Sequence, residues 1–184
     1  MIIALLVIIG LAILWVIFSF NRLISLVNRA KEAWADIDVQ LKRRYDLIPN
    51  LVETVKGYAA HETQAFDNVT KARMISMGAA TPAEKAQAEV TLSSALKSII
   101  AISEAYPDLK ANQNFLALQN ELTDTEDKIQ AARRFYNGNV RDLNTAVASF
   151  PGNIVAGAFH IAPMQLFELG EADALAREPV AVKF

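Results

Sequence analysis

The feature that most constrains this chain is at its start: nineteen residues, Ile2 to Phe20, without a charge, IIALLVIIGLAILWVIFSF, bounded by Asn21 and Arg22. A helix rises ~1.5 Å per residue, so this run matches the ~30 Å hydrocarbon thickness of a bilayer and reads as a membrane span. Its face-defining residues include Ile2, Leu6, Ile9, Ile13 and Phe18, with Trp15 and Phe20 towards the C-terminal end where aromatic side chains meet headgroups. A cleaved signal peptide is the competing explanation. It is disfavoured because no Lys or Arg precedes the run and no small-x-small cleavage site follows it. Only Met1 precedes the span, whereas Arg22, Arg29 and Lys31 follow it. The positive-inside rule therefore predicts the N-terminus outside and the body in the cytoplasm.

The rest of the chain is patterned for helices. Apolar residues at Ala30, Trp34, Ile37, Leu41, Tyr45, Ile48, Val52, Val55, Ala59, Phe66 and Val69 recur at steps of three and four, or their sums. Pro49 sits inside this pattern, where it removes the bond to the Tyr45 carbonyl at a cost of ~3 kcal/mol. Because the stripe keeps its phase from Leu41 through Ile48 to Val55, the pattern predicts a kinked continuous helix from about Asn21 to Met77. The freed carbonyls near Tyr45 and Asp46 need partners, for which Asn50, Arg43, Arg44 or a water are the nearest sources in sequence. Lys42, Arg43 and Arg44 lie roughly 30 Å of helix beyond Arg22, too far for lipid headgroups unless the helix folds back.

Further on, Gly78 is placed to cap the first helix and Thr81-Pro82-Ala83-Glu84 reads as a capping box with proline at the first helical position. Pro107 stops that helix, and Asp108 is placed to cap the next, which is expected to run to about Ser149. Its seam, Phe115, Leu122, Ile129, Tyr136, Leu143 and Phe150, recurs every seven residues and implies packing against another long helix, with Gly138 a possible distortion inside it. On the first helix the facing seam is Trp34, Ile37, Leu41, Ile48 and Val55. Phe150-Pro151-Gly152 closes the last long helix, and Asn153 to Leu169 is expected to form a short helix and a cap, with a subunit or membrane contact as the functional alternative.

Composition excludes several chemistries. Eighteen basic against twenty acidic residues leave a formal net charge of −2, which argues against a nucleic-acid partner. Without cysteine there is no thiolate nucleophile, disulfide or Cys-based metal site. His61-Glu62 lacks the second histidine of a zinc-protease helix, since position 65 is Ala65, and neither histidine has a glutamate three residues before it as a di-iron bundle requires. No cofactor, metal ligand set or nucleophile-base pair is visible, and the chain reads as non-enzymatic.

The segments AWADIDVQLKRRYDLIPNLVETVKGYAAHE, EAYPDLKANQNF, TEDKIQAARRFYNGNVRDLN and FPGNIVA resemble the LemA family, over a stretch from the membrane anchor to about Phe159. The resemblance implies an all-α, membrane-anchored antiparallel helical bundle with one N-terminal transmembrane helix and no established enzymatic activity. It sets residues Arg43, Arg44, Tyr45, Asp46, Pro49 and Asn50 in the family's most distinctive stretch. It also implies a context of membrane quality control and stress, including membrane metalloproteases. The expected layout is an anchor over 1–21, a bundle over 22–169 and a tail over 170–184. Two functions follow as expectations: a homo-oligomeric scaffold in the lipid bilayer, or an adaptor for a membrane protease or sensor.

Overall fold

In a computed structural model, which describes residues 1–168, every regular element among those residues is a helix. In chain order they are α1 (Ile2–Lys56), α2 (Thr63–Gly78), α3 (Pro82–Ala105), the single turn α4 (Pro107–Lys110), α5 (Gln113–Ala148) and α6 (Gly152–Ala158). The expected tail over 170–184 lies outside the described residues, as does Leu169. The chain divides into two units, Met1–Ile37 with Ala132–Leu166, and Asp38–Ala131 with the stretch that begins at Phe167. Helices α1 and α5 each contribute residues to both.

Helix α1 is 55 residues long and contains Pro49, but it ends at Lys56 rather than running on to Met77. The expected continuity survives the proline and fails at Gly57. Glycine costs a helix about 1 kcal/mol relative to alanine, and here the chain turns: the Tyr58 and Ala59 N–H groups both donate to the Val55 carbonyl at 3.0 and 2.9 Å, and the Glu62 N–H donates to Ala59 at 3.1 Å. Ala59, Phe66 and Val69 are buried on both sides of this turn. An apolar phase therefore persists through a break as readily as through a bend, because α2 returns its own stripe to the same core.

Within the second unit the core is built from aliphatic side chains with Phe66 and Phe115 among them. Leu41, Ile48, Leu51 and Val55 of α1 are at most 1% exposed, as are Val69 of α2 and Leu92 and Ile99 of α3. α2 packs against α3. The start of α3 is a full capping box: the Thr81 hydroxyl accepts from the Glu84 N–H at 3.2 Å, and the Glu84 carboxylate accepts from the Thr81 N–H at 3.1 Å. The Thr81 and Ala80 N–H groups, both donating to it, hold the Glu84 carboxyl below its ordinary range. α5 is capped by Asn112, whose Oδ1 accepts from the Phe115 N–H at 3.0 Å, so Asp108 is not its cap. Phe115, Leu122 and Ile129 are buried along α5.

The first unit has a smaller core. Tyr136 and Leu143 are buried, and the half-buried Trp34 ring meets Tyr136 with centroids 5.2 Å apart. Phe150 departs from the expected seam: α5 ends at Ala148, and Phe150 stands 80% exposed ahead of a cis bond to Pro151. Because α5 ends two residues before Phe150, the seven-residue register no longer governs its side chain. Gly138 lies inside an unbroken α5.

α6 is seated by a close approach at its first residue. A Cβ at Gly152 would lie 2.6 Å from the Ala146 carbonyl oxygen, so only glycine fits without a shift. The helix ends with the Ile161 N–H on the Ala156 carbonyl at 2.9 Å and the His160 N–H on Gly157 at 3.3 Å, with His160 itself at φ 54°. This is a Schellman ending with histidine where glycine is usual. Val155, Ala156 and Leu23 then form a cluster with Phe20, Ala146, Val147 and Ile161 around it. Beyond it, Asn144 exchanges two 2.9 Å bonds with the Met164 backbone, and the Tyr136 hydroxyl donates to the Gln165 carbonyl at 2.7 Å.

Candidate functional site

The second unit holds a buried ionic layer centred on Arg44. One guanidinium nitrogen of Arg44 lies 3.1 Å from Glu89 Oε2 of α3 and 2.9 Å from Glu126 Oε2 of α5, and the other donates to Ser93 Oγ at 2.7 Å. The neighbouring Tyr45 hydroxyl donates to the second Glu89 oxygen. Arg44, Tyr45 and Glu89 are 4–5% exposed. Three helices thus meet at one charged layer, which a planar fork of donors serves better than an ammonium could.

Burial decides the protonation chemistry. Desolvation pushes the Glu89 carboxyl above its ordinary range, opposed by the Tyr45 hydroxyl and the Arg44 charge, while Glu126 adds repulsion. Tyr45 is pushed upward too, first by burial and then by its bond to Glu89, so its phenol stays protonated and acts as a donor.

A second contact explains how α1 passes Pro49. Proline supplies no N–H to the Tyr45 carbonyl four residues earlier; Arg73 of α2 donates its Nε–H to that carbonyl instead, at 2.7 Å. The expected donors are elsewhere, with Asn50 and Arg43 exposed and Arg44 committed to the carboxylates. Asp46 and Pro49 are exposed as well. A shallow space of about 250 Å³ beside Pro49 is lined by Ile48, Val52, Glu53, Lys56, Thr70 and Arg73.

Sequence reasoning named Arg44 and Tyr45 but not their partners Glu89, Ser93, Glu126 and Arg73. Glu89 does carry a signal: it stands one step before Leu92, Leu96 and Ile99 on the buried stripe of α3, an acid at a core position. Such a group needs a cation nearby. Nothing comparable marks Arg73, whose role depends on how α2 returns.

The layer is internally satisfied: every oxygen of Glu89 meets a donor, and Arg44 spends its fork on two acids and a hydroxyl. That is the arrangement of a structural clamp. Among the described residues no three His, Cys, Asp or Glu side chains are placed to hold a metal ion.

A family model described as the LemA family matches residues 33–184. The chain belongs to the LemA family. The match begins thirteen residues beyond Phe20 and continues through the tail, farther than the resemblance to Phe159 reached. Protein LemA of Metamycoplasma hominis is 26% identical over 157 residues, covering 83% of this chain and 70% of that protein. Magnetosome protein MamQ of Magnetospirillum gryphiswaldense is 22% identical over 166 residues, and magnetosome protein MamQ 1 of Paramagnetospirillum magneticum 20%. Each of these two alignments covers 76% of this chain and 61% of the relative, so the chain spans less than two thirds of their length. None of the names specifies a reaction.

Proposed function

We propose that the chain is a non-enzymatic, membrane-anchored helical bundle that self-associates into a homo-oligomeric scaffold. One observation carries this reading. The most apolar 18-residue window of α1 is 0% buried, whereas the same helix beyond it is buried at Leu23, Ala30, Ile37, Leu41, Ile48 and Val55. A helix with that split has one half solvated by lipid and the other by its own chain, with no loop between. The Trp34–Tyr136 contact and the Arg44–Glu126 pair, each within its unit, support α1 and α5 as antiparallel neighbours. Arg22, Arg29 and Lys31 beside the span support a cytoplasmic body and an outside N-terminus. Blue-native electrophoresis and native mass spectrometry of the detergent-extracted full-length protein test the assembly. A ladder or a single higher-order species is expected, and monomer alone overturns the scaffold. Protease treatment of sealed spheroplasts tests orientation, and digestion of the body from outside overturns it.

A second reading, an adaptor for a membrane partner such as a protease or sensor, is favoured by Met74, Ile75 and Met77, each more than half exposed near the end of α2. Methionines adapt to varied partner surfaces. Of the charged residues in the family's distinctive stretch, Arg44 is buried and offers a partner nothing, while Arg43 and Asp46 are exposed. Photo-crosslinking from position 75 in intact cells is expected to recover a second protein; self-contacts alone rule the adaptor out.

A further inference from the structure

We propose that the first unit holds a binding site for one anionic glycerophospholipid, with the phosphodiester held by Arg22 and Arg29. The inference rests on the reading of α1 as a membrane span. A groove of about 970 Å³ runs along α1 from Trp15 to Arg29, walled on the other side by Asp142 to Gly152. Its volume suits a lipid headgroup with the first part of its acyl chains.

The lining changes character along its length in the order a lipid would require. Trp15 and Phe18 on α1 and the 80% exposed Phe150 supply an apolar end. Past Phe20, where the uncharged run stops, Arg22 and Arg29 enter the groove seven residues apart, two turns along one helix face. Thr145 and Ser149 add hydroxyl donors from the opposite wall. Helical side chains lean towards the N-terminus, so Arg29 points back towards the bilayer rather than away from it. The boundary between hydrocarbon and headgroup therefore falls inside the groove.

Charge complementarity selects the occupant. Among the described residues neither Arg22 nor Arg29 belongs to an ion pair. Asp142, the one acid in the lining, leaves a net charge of +1 from two arginines and one aspartate, which matches a single phosphodiester. Guanidinium forks bind such oxygens in pairs, and the anionic leaflet on the cytoplasmic side concentrates them.

The experiment uses the full-length protein reconstituted into vesicles and, in parallel, held in mild detergent for native mass spectrometry. Added phosphatidylglycerol is expected to stay bound roughly tenfold better than phosphatidylcholine, as two interfacial arginines would supply. The double variant Arg22→Gln/Arg29→Gln loses that preference. Thr145→Trp, which fills the groove and leaves every charge in place, loses it as well, and Lys97→Gln keeps it. Equal retention of both lipids, a preference that survives in the groove variants, or displacement of the lipid by glycerol 3-phosphate at equal concentration each overturns the proposal, the last by making this a soluble-anion site. Alkaline extraction separates the two readings. Protein stripped from the vesicles defeats the membrane span, whereas protein retained without headgroup preference defeats only the lipid site.

Discussion

The two units solve the problem of stability differently. The second buries Leu41, Ile48, Leu51, Leu92 and Phe115, leaves Met74, Ile75 and Met77 of α2 exposed, and pairs its buried Arg44 and Glu89 with the partly exposed Glu126. The first also buries Ala30, Ile37, Tyr136, Leu143 and the Leu23–Val155–Ala156 cluster, but leaves Phe150, Ile154 and Phe159 exposed at 50% or more beside the end of the apolar run. A closed core needs only water outside it. An open apolar rim next to a bilayer-length helix is stable when another phase covers it. On the proposed membrane reading, the difference teaches that the two units answer to different solvents although α1 runs through both.

The sharpest way to break the contrast is Arg44→Ala. It leaves Glu89 buried and short of a cation, at a cost of ~3–5 kcal/mol, and thermal unfolding followed by circular dichroism in detergent should register the loss whatever lipid is added. If lipid headgroups set the size of that loss, the second unit is not self-sufficient. In the first unit the corresponding change is Gly152→Ala. Its methyl would press on the Ala146 carbonyl, and overpacking of this kind costs ~1–3 kcal/mol. Here proteolysis near α6 should rise, with the second unit's protection from hydrogen exchange unchanged.

Smaller effects sharpen the picture. Arg73→Ala removes the donor from the Tyr45 carbonyl and should cost about 1–2 kcal/mol. Pro49→Ala restores a local N–H, so a double-mutant cycle should show most of the Arg73 effect vanishing in the alanine background; additive losses would mean that Arg73 stabilises by another route. Gly138→Ala meets no atom within 4 Å and should stabilise α5 by about 0.5–1 kcal/mol.

Finally, pH probes the ionic layer. Folded Glu89 titrates above its ordinary value of 4.5, so between that value and its raised one the folded chain holds a proton the unfolded chain has released. This contribution is fully present below 4.5 and declines as pH rises through the folded value. Glu89→Gln should remove that part of the slope in unfolding experiments run across this window.

Local chemistry was legible in the sequence except at two caps, where Asn112 takes the place of Asp108 and Gly78 is helical with no left-handed turn, and tertiary chemistry was not. Thr81-Pro82-Ala83-Glu84 and Pro107 act through neighbours one to four residues away, so reading them needs no fold. Ile37, Leu41, Ile48 and Val55 announce burial by spacing alone, as do Phe115, Leu122, Ile129 and Tyr136. Phe150 has the same spacing and lies outside because α5 stops at Ala148, before the register reaches it. The turn after Lys56 is invisible to phase because both flanking stripes serve one core. In sequence Arg44 reads as a donor to the nearby carbonyls because its acids lie 45 and 82 residues away; only the return of α3 and α5 brings them within reach.

The bond from Arg73 to the Tyr45 carbonyl bears on the order of folding. Elsewhere an α-helix closes its hydrogen-bond ladder from its own backbone. Around Pro49 one rung of the ladder is supplied from 28 residues downstream, after a turn and a second helix. That part of α1 reaches its final hydrogen bonding only once α2 has arrived, so its last two turns should protect their amides from exchange together with α2 and later than the turns before Tyr45. A proline in mid-helix here makes a secondary structure the product of a tertiary contact.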